Sequence, residues 1–77
     1  MYEIDPSTLG RHLRALRSIR GLNQGQAAAL IGVSQRTLSN WETGRFVPSV
    51  DRLASATEAL GRPLWQVLRD MREHDHG

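Results

Sequence analysis

Residues 23–44 read N-Q-G-Q-A-A-A-L-I-G-V-S-Q-R-T-L-S-N-W-E-T-G. Asn23 and Ser34 are helix-capping types, because a short side-chain oxygen there can accept a hydrogen bond from a free backbone N–H of the first turn. Gln26 stands three residues after Asn23, the spacing of a reciprocal capping box. Gly32 and Gly44 each follow a helical run, and glycine is favoured just past a helix end because the chain there takes a positive φ without a Cβ penalty. The stretch therefore reads as two short helices, 24–31 and 35–43, joined by the turn Gly32–Val33–Ser34. Ala28 suits a tight corner, since a larger side chain would hold the two helices apart. Val33, apolar inside a turn, is placed to plug the core beneath that corner.

The same punctuation extends outward. Gly21 and Gly61 mark two further stops. Before Gly21 a helix from about Pro6 to Arg20 carries Leu9, Leu13 and Leu16 as its apolar stripe, with Asp5 as cap and Pro6 in the first turn, where its missing N–H costs nothing. A fourth helix spans about Val50 to Leu60, capped by Ser49, with Asp51 favourable in the first turn. A fifth opens at Pro63 and carries Leu64, Val67, Leu68 and Met71 at helical spacing. No segment has the period of two that marks a strand. The expectation is an all-α protein: one compact five-helix bundle over residues 1–77, with its packed core at about 6–71 and a flexible polar tail at 72–77. A short helix, a glycine-containing turn and a second short helix is the helix-turn-helix pattern, in which the second helix can lie in a DNA groove while the first crosses the backbone.

Composition narrows the function classes. A chain of 77 residues buries only about 60% of its unfolded surface, which leaves little room for a catalytic pocket beside a scaffold. There is no cysteine, hence no disulfide and no thiolate–zinc staple. No apolar run approaches the roughly 18 residues of a membrane span, and Met1 to Thr8 lacks the basic and apolar stretches of a signal peptide. The expectation is a soluble cytoplasmic protein that binds no membrane. The net charge of +2 is mild, but it is unevenly placed. Residues 8–46 carry Arg11, Arg14, Arg17, Arg20, Arg36 and Arg45 against one acid, Glu42. Residues 47–77 carry Arg52, Arg62, Arg69 and Arg72 against Asp51, Glu58, Asp70, Glu73 and Asp75. Basic charge confined to one half is what a face meeting a polyanion would show. Nothing resembles a phosphate-binding loop or a nucleophile elbow, so no enzyme activity and no cofactor are expected. His74 and His76 have chelate spacing but no third ligand in the tail, and His12 has no nearby carboxylate or nucleophile in sequence, so no metal is expected either.

Three stretches resemble a known family: L-G-R-H-L-R-A-L-R-S-I-R-G-L-N-Q from Leu9, A-A-L-I-G-V-S-Q-R-T-L-S-N-W-E-T-G-R from Ala28, and P-S-V-D-R-L from Pro48. They are similar to the phage repressor and Cro type of helix-turn-helix protein, also called the xenobiotic-response-element type, over about Leu9 to Leu68. The most specific part is G-V-S-x-x-T-L-S-x-W-E-x-G at Gly32 to Gly44. The resemblance implies a lambda-repressor-like five-helix fold that binds double-stranded DNA, usually as a homodimer on a near-palindromic operator. It implies roles by position. Gln24 matches a residue that hydrogen-bonds a phosphate, at a helix start whose free N–H groups favour an anion. Gln35 and Arg36 match the first base-reading positions of the recognition helix, where Arg can donate in a fork to guanine and Gln can pair with adenine. Asn40, one turn beyond Arg36, matches a base or phosphate contact. Ser34 and Ser39 are candidate donors to phosphate or base edges, and Arg45 matches a phosphate contact. Arg17 and Glu42 match a partly buried salt bridge tying the first helix to the third, and Trp41 matches a site packed behind the recognition helix.

Three positions depart from the family pattern. Gly25 replaces a polar helix former, at about 1 kcal/mol relative to Ala. Ala27 replaces a frequent Leu, with Leu30 placed to fill the space. Trp65 stands where a polar residue is usual and points away from the buried stripe, which makes it a candidate dimer contact. The resemblance thus implies a sequence-specific transcriptional regulator, a Cro-like or compact immunity repressor. A restriction–modification controller protein, or an antitoxin that represses its own operon and also binds a partner protein, would share these features. So would a protein-interaction module that has lost DNA binding, although Gln24, Gln35, Arg36, Asn40 and Arg45 are all retained.

Overall fold

The computed structural model describes residues 4–75, and the side chains of residues 4–73. Five helices follow one another: α1 (Pro6–Ile19), α2 (Gln24–Ile31), α3 (Gln35–Glu42), α4 (Val50–Ala59) and α5 (Leu64–Asp75). There is no strand among the described residues. Arg20, Thr43 and Leu60 are the capping residues that close α1, α3 and α4, one position later than each helix proper. Pro63 lies just ahead of α5, where its carbonyl accepts from Gln66 N at 3.1 Å and Val67 N at 3.3 Å. α5 runs on past Met71, the last buried one among its described side chains, to Asp75. The chelate spacing of His74 and His76 lies outside the described side chains.

The starts of α1 to α4 are each capped by a side chain, Asp5, Asn23, Ser34 and Ser49 in turn. Asn23 and Gln26 form the reciprocal box: Asn23 Oδ1 accepts from Gln26 N at 2.8 Å, and Asn23 N donates to Gln26 Oε1 at 2.9 Å. Ser49 Oγ accepts from Arg52 N at 3.3 Å. Asp5 Oδ2 accepts from the Thr8 hydroxyl at 2.6 Å and from Thr8 N at 3.2 Å, and these two bonds hold its carboxyl below the ordinary aspartate value.

The core is made of one stripe from each helix: Leu9, Leu13 and Leu16 of α1, Ala27 and Ala28 of α2, Leu38 and Trp41 of α3, Leu53 and Ala56 of α4, Val67 and Met71 of α5, with Leu60 closing α4. Ile4, Leu22, Ile31, Val33, Leu64 and Leu68 pack against it from partly exposed positions. Leu30 does not fill the space beside Ala27; it is 52% exposed. At about 100° per residue Ile31, not Leu30, continues the face of Ala27 and Ala28, and Ile31 is the residue that packs there.

At Gly10, in the first half of α1, the helix lies directly against the backbone of α3. A Cβ built there would lie 2.7 Å from the Trp41 carbonyl oxygen and closer still to that of Glu42. Gly10 is therefore buried not as a turn residue but as the point where α1 rests on the backbone end of α3. Gly10→Ala should cost on the order of 1–3 kcal/mol through overpacking, despite alanine's better helix propensity. Thermal unfolding should show a clear drop in midpoint, and an unchanged or raised midpoint would contradict this contact.

Candidate nucleic-acid interface

The corner between α2 and α3 is set by Gly32, which closes α2 at φ 92°. The Ala28 carbonyl accepts from both Gly32 N at 2.8 Å and Val33 N at 3.0 Å, so the chain turns sharply and Ser34 caps the next helix at once. Ser34 Oγ accepts from Thr37 N at 3.1 Å and donates to Thr37 Oγ1 at 2.9 Å, so its hydroxyl hydrogen is used within the cap.

α3 is divided cleanly. Leu38, Trp41 and Glu42 face inward and are buried. The opposite side presents Arg36, Ser39, Asn40 and Thr43 at helical spacing, with Arg36 and Thr43 exposed and Ser39 and Asn40 half-buried. Gln35, also exposed, sits to one side, with its Oε1 3.6 Å from where a Cβ on Gly25 would stand. Gly25 thus lies under the Gln35 carboxamide at ordinary contact distance, and the missing side chain there is not a steric necessity. Arg45 follows the turn at Gly44 and is exposed, anchored by its backbone N–H to the Asn40 carbonyl at 2.9 Å. The side chains of Gln35, Arg36, Asn40 and Arg45 make no hydrogen bond or ion pair among the described residues. Their donors are available to an outside acceptor.

Thr43 is a member of this face that the sequence reading left out. It follows Arg36 and Asn40 by seven and three positions, so the helical period contained the signal. Phe46, 60% exposed beside Arg45, was likewise not singled out, because an apolar residue in a loop has no period to mark it.

Behind the face lies the brace. Arg17 Nε donates to Glu42 Oε2 at 2.7 Å and Arg17 Nη2 to Glu42 Oε1 at 3.0 Å, the forked geometry that guanidinium and carboxylate favour. The Glu42 side chain is 3% exposed. Arg17 Nη1 also donates to the Leu22 carbonyl at 3.0 Å, and the hydrogen bond to Glu42 raises the Arg17 pKa, keeping the guanidinium charged. Gln24, half-buried at the start of α2, donates from Nε2 to Glu42 Oε1 at 3.1 Å. Since Glu42 is the only acid of α2 and α3, its burial leaves these two helices with no exposed carboxylate of their own, while exposed Asp51 at the start of α4 lines a groove with Ile31, Gly32 and Val33. Trp65 is elsewhere, 63% exposed on α5, with the Arg69 guanidinium 5.3 Å from its ring centre.

No helix among the described residues is long and apolar enough to cross a membrane, and no group of three or more metal-ligating side chains occurs among them. The arrangement is a short helix, set off from α2 by a tight turn, that offers an unpaired cationic and amide-bearing face. The sequence profile of the helix-turn-helix domain family matches residues 8–74. By sequence alone no curated protein matches the chain significantly. Among solved structures it resembles the clp gene regulator ClgR from Corynebacterium glutamicum in two structures. One has a TM-score of 0.83 and 32% identity over 95% of this chain and 94% of that one. The other has a TM-score of 0.84 and 32% identity over 94% of this chain and 77% of that one. It also resembles an HTH_3 family transcriptional regulator from Vibrio cholerae, with a TM-score of 0.77 and 27% identity over 90% of this chain and 39% of that longer one. The chain belongs to the helix-turn-helix family of the repressor and Cro type.

Breaking the brace from one side should be far worse than replacing it. Glu42→Ala strands the Arg17 guanidinium against the core and should cost about 3–5 kcal/mol, whereas Arg17→Met with Glu42→Met should be close to neutral. Denaturant midpoints check both, and equal losses in the two variants would contradict the assignment of Glu42 as a buried ion-pair partner.

Proposed function

We propose that this chain is a sequence-specific transcriptional regulator that lays α3 in the major groove of double-stranded DNA. The observation that carries the reading is the split of α3: one side buried against the core and held by Arg17, the other presenting unpaired Arg36 and Asn40 with no carboxylate of α3 exposed beside them. Arg36 is suited to guanine O6 and N7, and Gln35 and Asn40 to adenine N6 and N7. Gln24, Ser39 and Arg45 would meet the phosphate backbone, which fixes register without reading sequence. Ser34 would donate its hydroxyl to a phosphate only by giving up its bond to Thr37 Oγ1. Thr43 extends the same face by one turn.

The role is gene control by repression, through occlusion of a promoter. The names of the similar structures, a gene regulator and a transcriptional regulator, support control of transcription over an architectural role. A homodimer on a near-palindromic operator is the form in which one short helix per subunit gains enough contacts, with half-sites about one helical turn apart. Trp65 would contribute to that self-association, since a large exposed aromatic is the residue type that anchors interfaces. The protein would act in the cytoplasm, where its DNA is.

Selection of bound duplexes from a random-sequence pool should enrich one half-site, repeated with two-fold symmetry at a fixed spacing. A pool that stays random would contradict sequence-specific binding. Arg36→Ala should lose about 1–3 kcal/mol on the selected site and relax one base preference, while an equal loss on every sequence would make Arg36 a phosphate contact instead. Trp65→Ser should lower the sedimentation mass at fixed concentration; an unchanged mass would remove Trp65 from the dimer contact.

A further inference from the structure

A primary carboxamide has a carbonyl acceptor at one end and an NH2 group with two donors at the other, so its function depends on which end faces which way. For Gln24 that choice is made from the buried side. A carboxylate only accepts, and Glu42 Oε1 takes Gln24 Nε2 at 3.1 Å. The reversed amide would set two oxygens against each other. The carboxylate cannot turn to suit, because Arg17 holds both of its oxygens, at 2.7 and 3.0 Å, and Arg17 is itself tied to the Leu22 carbonyl. Gln24 Nε2 therefore has one N–H committed inward and one left over, at a half-buried position beside the cap residue Asn23.

We propose that Glu42 is a positioning residue for the DNA backbone contact, holding the Gln24 carboxamide so that its remaining N–H is presented to a phosphate oxygen. The proposal rests on the reading of the α2 start as a phosphate contact. It explains why a carboxylate can stand so near a polyanion: Arg17 neutralises it, and what reaches the surface is an oriented donor rather than a charge. A glutamine that had to order itself on binding would lose its rotamer freedom at that moment, whereas one already held by Glu42 has lost it on folding.

A double-mutant cycle on a labelled duplex recovered by selection tests this. Gln24→Ala in the wild-type chain should weaken binding about tenfold, the scale of a hydrogen bond to a charged group. The same change in an Arg17→Met/Glu42→Met background should weaken it less than about twofold, because the amide is no longer aimed. The loss should be the same on other duplex sequences, as a phosphate contact requires. An equal tenfold loss in both backgrounds would overturn the positioning role and leave the phosphate contact standing. No loss in the wild-type chain would overturn both. If the apolar pair does not fold, the wild-type chain alone still decides: in the free protein the Gln24 side-chain N–H signals should exchange with water more slowly than those of exposed Gln35. Equally fast exchange would mean that the carboxamide is not held and would overturn the proposal.

Discussion

One carboxylate holds this small bundle in register. Glu42 is charged, nearly inaccessible and at the end of α3, a position that costs several kcal/mol unless its oxygens are fully partnered. They are partnered by Arg17 from α1 and Gln24 from α2, while Arg17 reaches on to the Leu22 carbonyl in the connection between those helices. The same residue meets α1 a second time through its backbone, because Gly10 lets α1 rest on the Trp41 and Glu42 carbonyls. Gly10 and Arg17 are seven residues apart, about two turns along one face of α1. Main chain and side chain of a single residue are thus gripped by two points on one helix.

This grip explains why α3 has a free side. Leu38, Trp41 and Glu42 form the buried side, so the Arg36 and Asn40 side chains project without a partner in the fold, while Thr43 on the same face donates its hydroxyl to the Ser39 and Asn40 carbonyls and closes the helix. The electrostatic result follows from the same burial. A carboxylate left on that surface would repel a phosphate backbone, but Glu42 is turned inward and matched by Arg17, so α3 itself exposes no acid.

Much of this was legible in the sequence because its signals are local. Asp5, Asn23, Ser34 and Ser49 cap the helices from adjacent positions, and Gly21, Gly32, Gly44 and Gly61 all take the positive φ that ends a helix. The five-helix, all-α fold followed from that punctuation. What local signals could not convey was distance between elements. Gly10 interrupts no turn, so nothing in its neighbourhood announces that another backbone lies against it. Leu30 was placed in the core by its apolar character, but helical phase puts Ile31 there. The bond from Gln24 to Glu42 joins residues 18 positions apart and depends on the α2–α3 angle, which only the folded chain supplies. Of the candidate site, Gln35, Arg36 and Asn40 were named through the family resemblance, and that Thr43 shares the face of Arg36 and Asn40 was readable from spacing. The engagement of the Ser34 hydroxyl by Thr37 was not, since a cap and a DNA contact call for the same residue type.

The central claim is that α3 enters the major groove with Arg36 at a guanine edge. Methylation protection with dimethyl sulfate on a selected duplex reads this directly, because guanine N7 lies in the major groove and adenine N3 in the minor groove. The account predicts protection of guanine N7 within each half-site, lost at one guanine when Arg36 is replaced by Ala, with adenine N3 still reactive. Protection confined to adenine N3, or none at guanine N7 under saturating protein, would contradict it.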